Sequence, residues 1–345
     1  MSKNQPQHIK TRIAKEDPEL ILENELSKRF GDRYRKYRDD YNSIISDPEH
    51  KLFLNYPLTV SLELINRCDL ECVACYQGFR NDAKQAIIDD KILDKMFLDF
   101  KKNKLPALMI SQSEPLLYKN IEKVLKKAKE AEIMDVFIFT NGTLLNEKAC
   151  KMILESSVTK LFVSIDAATE KTFASVRIPV SKRLLNEDRL EKLENNVKRF
   201  IKMRNELNRK TPVVRVSFVD LKENHHEVEA FKEKWKDIVD LVEVQKETSM
   251  KFYDKLKKEN IHLLEEKSLK KYNCDKPWGE ISIYSDGSIS PCCNLTGKKI
   301  PIGNIKDSTI KEMWDGVKMN AVREGLMKNT PIKVCQACIE SQETR

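Results

Sequence analysis

Glycine is scarce in this chain, with nine residues in 345, and the few present sit in turns and motifs rather than in a Gly/Ser linker. Internal repeats and low-complexity tracts are absent too, so neither a tandem array nor a flexible tether is expected. No run of about 18 apolar residues occurs, which leaves no candidate membrane-spanning helix. The opening Met1-Ser-Lys-Asn has no signal-peptide pattern. With no oxidising compartment indicated, the expectation is a cytoplasmic protein whose thiols stay reduced and serve as metal ligands rather than cross-links. Concentrated charge is also missing. The formal excess of +8 comes from 62 basic residues set among 54 acidic ones. The lysines lie along amphipathic helices, a solvated surface and not a nucleic-acid-binding block.

What the chain does have is cysteine, nine in all. Three fall close together in Cys68-Asp-Leu-Glu-Cys72-Val-Ala-Cys75. Three thiolates at this spacing can hold three corners of an iron–sulfur cube and leave the fourth iron open, and a vacant position is the mark of a catalytic centre. A zinc knuckle is the alternative, although zinc sites usually pair Cys-x2-Cys and need a fourth ligand nearby, and no histidine adjoins this loop. The loop follows an alternating strand, Leu58-Thr-Val-Ser-Leu-Glu-Leu64.

At these residues the chain resembles the radical S-adenosylmethionine enzymes, whose Cys-x3-Cys-x2-Cys loop binds a [4Fe–4S] cluster that chelates S-adenosylmethionine. The resemblance implies Cys68, Cys72 and Cys75 as cluster ligands. It also implies an external one-electron reductant such as flavodoxin or ferredoxin. One departure is Ala74, where the family has an aromatic residue.

Hydrophobic periodicity organises the remainder. About 56 residues before the first strand read as charged helix, with Phe30, Tyr34, Tyr37, Tyr41 and Ile44 forming a stripe. From Pro57 onward strands near 58–64, 107–110, 136–139, 161–164, 213–218 and 241–244 alternate with amphipathic helices, the pattern of an α/β parallel sheet. Periodicity leaves a doubly wound sheet open; the resemblance implies a partial (β/α)6 TIM-like barrel. The expected domains are an N-terminal helical extension (1–56), the barrel (57–250) and a C-terminal auxiliary-cluster unit of β-hairpin and helix (251–345).

Barrels place chemistry at the carboxyl ends of strands. There the resemblance implies cofactor contacts at Ser113 and Glu114, in the place of a Gly-Gly-Glu-Pro motif, at Thr140 and Asn141 of Thr-Asn-Gly, and at Ser164 and Asp166 of Ser-Ile-Asp. Gln112 and Ser113 replace the two glycines, removing easy access to positive φ. Ser217 and Arg215 share a face of the fifth strand. If that face is inward, Ser217 is expected to be a further cofactor contact, and Arg215 and Arg177 are the candidate catalytic residues. His225 and His226 sit in a polar stretch and are read as solvent-facing, and Cys150 as a small buried hydrophobe.

After residue 250 come Cys274, a Ser-Asp-Gly-Ser hairpin turn at 285–288, Pro291-Cys292-Cys293 and Cys335-Gln-Ala-Cys338, with intervals of 18, 43 and 3 from Cys274. Four cysteines on a small hairpin unit also describe a zinc ribbon. The order resembles the SPASM extension in its short "twitch" form, which implies a second [4Fe–4S] cluster on Cys274, Cys292, Cys335 and Cys338, with Cys293 as the substitute for Cys292. Too few cysteines remain for a third cluster. The resemblance runs nearest to the 2-deoxy-scyllo-inosamine dehydrogenase type. It implies hydrogen abstraction from a sugar, cyclitol or similar small molecule, with the closed cluster taking an electron. Peptide modification by the same chemistry, and a non-catalytic zinc or nucleic-acid-binding module, are the alternatives.

Overall fold

The computed structural model describes residues 9–47, 52–75, 86–185, 187–247 and 272–343. Strand β1 (Ile9–Ala14) leads into helices α1 (Pro18–Phe30) and α2 (Asp32–Ser46), then β2 (Thr59–Leu62) and the short β3 (Leu70–Cys72). Next come α3 (Asp90–Asn103), β4 (Ala107–Ile110), α4 (Ile121–Glu130), β5 (Asp135–Thr140), α5 (Glu147–Glu155) and β6 (Val158–Ser164). After α6 (Glu170–Val176) and β7 (Arg177–Pro179) follow α7 (Arg189–Glu206), β8 (Val213–Asp220), α8 (Val228–Trp235) and β9 (Leu241–Lys246). The C-terminal part holds β10 (Glu280–Ile283), β11 (Ser288–Ser290), β12 (Gly303–Asn304), α9 (Ile310–Trp314), α10 (Val317–Met327) and α11 (Lys333–Glu343). Side-chain caps fix where helices begin: Asp89, Asn146, Thr169 and Asp188 each accept a first-turn N–H of α3, α5, α6 and α7.

All six expected strands form and pair in parallel, in the order β9-β8-β6-β5-β4-β2. Helical crossovers cover the outer face, as a TIM-like partial barrel requires. Val136, Ile138, Leu161, Val163, Val214, Val216, Val242 and Val244 point into one core with these helices. The alternate residues make a different surface on the inner face. Phe139 meets Phe162 at 4.8 Å, and the Arg215 guanidinium lies 3.8 Å from the centre of the Phe162 ring.

The first 56 residues are not helical throughout, because Ile9–Ala14 is a strand paired antiparallel with β9. Its Ile-Lys-Thr-Arg-Ile-Ala alternation is short, and covering the otherwise unpaired edge of β9 decides its conformation. Of the expected stripe, three residues are buried, while Phe30 is partly buried and Tyr41 is 39% exposed. Tyr34, Tyr37 and Ile44 are buried with Leu58, Ala107, Met134 and Val213, residues at the amino ends of β2, β4, β5 and β8. This closes the bottom of the barrel and leaves the carboxyl end for chemistry. Leu207 caps α7 and is 52% exposed.

The C-terminal hairpin does not stand apart. Its β10 pairs in parallel with β2, aligning Ile281 with Val60 and Ile283 with Leu62, so β10, β11 and β12 prolong the barrel sheet. Trp314 Nε1 donates to the Leu54 carbonyl at 2.7 Å, and buried Arg323 donates to the Pro277 and Trp314 carbonyls. The expected boundary at 250/251 lies outside the described residues. Among the described residues no helix is long and apolar enough to cross a membrane.

Candidate functional site

The first cysteine loop is stapled across the carboxyl end of the barrel. Its β3 pairs antiparallel with β7, setting Cys72 opposite Arg177, and Val180 N–H donates to the Asp69 carbonyl at 2.9 Å. A turn closed by Cys75 N–H to the Cys72 carbonyl (3.0 Å) brings the third thiol back toward the second. Donors are aimed at the sulfurs. Cys68 Sγ accepts from Leu70 N–H at 3.4 Å and from Asn141 Nδ2 at 3.6 Å, and Cys72 Sγ accepts from Arg177 Nη1 at 3.4 Å.

Asp69 ties this loop to the turn after β5, accepting from Asn141 Nδ2 at 2.7 Å and Thr143 Oγ1 at 2.6 Å. Nothing in the cysteine spacing marks Asp69; only its contact with a turn some 70 residues away shows its role. Gly142 in that turn has φ +78°, and a Cβ there would stand 2.8 Å from Val163 Cγ1, so the turn requires glycine.

Glu114 is 1% exposed and organises the same region from the β4 side. Its carboxylate accepts from Thr140 Oγ1 (2.9 and 3.0 Å), Asn141 N–H (2.8 Å) and Leu116 N–H (3.0 Å), while its own N–H donates to the Arg67 carbonyl (3.1 Å). Burial pushes its carboxyl up to about 7, with the charge of Asp69 adding to the rise against the hydrogen bonds that oppose it. A carboxyl raised on folding contributes stability that is complete below its unfolded value near 4.5 and is lost as pH rises through 7. Metal-free protein should therefore be less resistant to urea at pH 8 than at pH 5, by at most about 3 kcal/mol from this group. Glu114→Gln should flatten that difference; an equal pH dependence in both proteins would contradict it.

Among the remaining expected contacts, Ser164 and Ser217 lie side by side at the ends of β6 and β8, Oγ to Oγ at 3.5 Å. Ser113 occupies the turn before Glu114. Asp166, at φ +62°, caps the end of the sheet by accepting Val219 N–H at 2.7 Å and pairs with Arg177 Nη2 at 2.5 Å. The two candidate arginines separate. Arg177 belongs to the cysteine loop, whereas Arg215 is engaged by Glu243 Oε1 at 2.9 Å. Glu243 is fully buried and also binds Arg12 Nε of β1 at 2.8 Å. Arg215 thus stands in an ion pair on the inner face, and among the described residues its hydrogen-bond partner is Glu243 and not the cysteine loop.

The second cysteine set gathers around the end of the hairpin. Cys335 and Cys338 sit three apart on α11 and face the same side. Asn294 Nδ2 donates to Cys338 Sγ at 3.1 Å. Burial pushes Cys335 up to about 12 and raises Cys274, and in both the charge of Cys338 adds to the rise. Burial also raises Cys292, which feels the charges of Cys293 and Cys274. Burial raises Cys293 too, with the charge of Glu280 adding to the rise and that of Lys276 opposing it. A Cβ on Gly297 would stand 2.9 Å from Cys292 Sγ, so the backbone is shaped around that sulfur.

Among the described residues no three Cys, His, Asp or Glu side chains converge tightly enough to share a single metal ion. Both sets fit an iron–sulfur cluster in donor chemistry: soft thiols only, partly desolvated, with N–H donors directed at sulfur. A buried thiol resists ionisation unless a cation compensates, which bound iron would do.

Comparison with known proteins agrees with this geometry. The family model described as the Radical SAM superfamily matches residues 62–234, and that of SPASM, an iron-sulfur cluster-binding domain, matches residues 274–339. The probable GTP 3′,8-cyclase of Methanococcus maripaludis (strain C5) is 23% identical over 117 residues, covering 34% of this chain and 39% of that protein. The chain thus spans about two fifths of the length of such curated relatives. Among solved structures, BtrN in complex with AdoMet and 2-DOIA superposes with a TM-score of 0.52 at 16% identity, covering 83% of this chain and 92% of that one. Streptococcus suis SuiB bound to precursor peptide SuiA gives 0.56 at 16% identity, covering 85% and 71%.

Proposed function

The chain belongs to the Radical SAM superfamily and carries a SPASM domain, and from that premise we propose that it oxidises a small hydroxylated molecule using two [4Fe–4S] clusters and S-adenosylmethionine. Cys68, Cys72 and Cys75 would hold the catalytic cluster, and Cys274, Cys292, Cys335 and Cys338 the auxiliary one. When bound, the first cluster supplies the electron that splits the sulfonium of S-adenosylmethionine and so makes hydrogen abstraction from substrate possible.

The chain's own residues supply the setting. Asp69, Glu114, Thr140 and Asn141 lock the cysteine loop to the barrel rim. Arg177 places a buried positive charge on Cys72, and the Ser164–Ser217 pair offers hydroxyls at the strand ends. Phe139 and Phe162 line the inner face and keep water from it.

The observation that carries the oxidative reading is the second set itself. Four thiols leave no position for substrate, so this centre would exchange charge rather than bind a reactant. Its Cys292–Cys293 segment also lies against the barrel, with Gln112 Nε2 donating to the Cys293 carbonyl at 3.3 Å.

A Cys335→Ala/Cys338→Ala double variant, reconstituted without oxygen, tests this reading. Bound iron is expected to fall from about eight to about four per chain, with S-adenosylmethionine cleavage retained. A panel of sugar and cyclitol alcohols should yield ketone with wild type and none with the variant. Unchanged iron content would overturn the ligand assignment; turnover of peptides in place of alcohols would overturn the substrate class.

A further inference from the structure

Gln112 occupies the place of the first glycine of the Gly-Gly-Glu-Pro motif and keeps a glycine-like backbone, with φ +83°. That conformation is unfavourable for a residue with a Cβ by roughly 1–3 kcal/mol, and it persists only where surroundings hold it. Here the side chain does so. Its Nε2 reaches across the inner face to Ser61 Oγ at 3.1 Å and to the Cys293 carbonyl at 3.3 Å.

That carbonyl belongs to a segment pinned from several sides. Ser282 Oγ and Ser290 Oγ each donate to the Cys292 carbonyl at 3.0 Å, and Cys293 N–H donates to Glu280 Oε1 at 2.9 Å. These three holders come from β10 and β11, the hairpin that carries the segment. Gln112 comes from the other side, two residues before Glu114. Glu114 in turn binds Asn141, and Asn141 donates to Cys68 Sγ.

We propose that Gln112 is a positioning residue that joins the two cysteine sets: it fixes the Cys292–Cys293 segment against the loop that would meet S-adenosylmethionine, and so sets the geometry of the second cluster relative to the first. This rests on the two-cluster reading above. The substitution of glycine by glutamine is then a gain. It keeps the backbone turn and adds a tether that glycine could not provide.

Full-length protein reconstituted without oxygen tests the tether with two variants. Gln112→Gly suits the positive φ and removes the amide; Gln112→Glu keeps the length and sets a carboxylate against the Cys293 carbonyl. Both are expected to speed amide hydrogen exchange across residues 294–300 by about tenfold, the scale of one lost hydrogen bond, and to shift the paramagnetic spectrum of the reduced second cluster. Exchange in residues 68–75 should stay unchanged in Gln112→Gly. Eight irons in wild type, with exchange and spectrum identical in Gln112→Gly, would overturn this inference alone. About four irons in wild type would overturn the two-cluster reading and this inference with it.

Discussion

Replacing Cys68, Cys72 and Cys75 together with alanine is expected to abolish cleavage of S-adenosylmethionine while leaving about four irons bound per chain instead of about eight. The selectivity of that loss follows from where the two sets lie. The first occupies one loop stapled to β7, and the second is assembled from the hairpin and α11, with its proposed ligands drawn from residues 274–338. The loop is held by backbone pairing with β7 and by the bonds of Asp69 to Asn141 and Thr143, none of which uses a thiol, so the barrel should survive the change. Iron and sulfide counting checks the stoichiometry, and chromatography of 5′-deoxyadenosine checks the activity. A triple variant that keeps eight irons would show that these sulfurs are not ligands.

Arg177 should give the next largest effect. Its side chain is nearly buried and serves two partners, Cys72 Sγ through Nη1 at 3.4 Å and Asp166 Oδ2 through Nη2 at 2.5 Å. Burial works against its charge, but Asp166 and Cys72 more than offset that and hold the guanidinium above its ordinary value. In Arg177→Met the Asp166 carboxylate is left buried without its cation, a change that typically costs about 3–5 kcal/mol. Urea unfolding of the metal-free variant measures that loss.

A second consequence distinguishes positioning from mere packing. A positive charge and an N–H donor on a ligating sulfur make a cluster easier to reduce, so the first cluster of Arg177→Met should titrate at a more negative potential than wild type. Loss of such a partner commonly lowers activity about 10–100-fold. Arg177→Lys should restore only part of both effects, because one ammonium cannot span Cys72 and Asp166 as a planar fork does. Stability lost with the potential unchanged would leave Arg177 a purely structural residue.

The sequence made some of this visible and hid the rest for physical reasons. Strand and helix periodicity is local, so all six barrel strands and the hydrophobic faces of α3, α4 and α5 could be located from residue order. Cysteine spacing is local too, and it singled out both sets. Pairings between distant segments leave no such trace. Arg177 and Arg215 look alike in sequence, each a lone cation near a strand end, yet one meets Cys72 and the other is neutralised by Glu243. Asp69 looks like spacer between ligands, and its bonds to Asn141 and Thr143 are formed only when the barrel closes. Gln112 seemed a loss of the glycine's freedom. The backbone nonetheless takes the left-handed form, because a carbonyl 181 residues away rewards the side chain that adopts it.

The proposal that the Cys68–Cys72–Cys75 loop would hold a cluster with one iron left open is the point on which the rest depends, and reduced protein mixed with S-adenosylmethionine in the absence of oxygen tests it most directly. The account predicts that the cosubstrate alters the paramagnetic spectrum of one cluster, and that methionine and 5′-deoxyadenosine then appear in equal amounts. A protein that carries zinc in this loop, or whose spectrum ignores S-adenosylmethionine while the molecule stays intact under strong reductant, would contradict it.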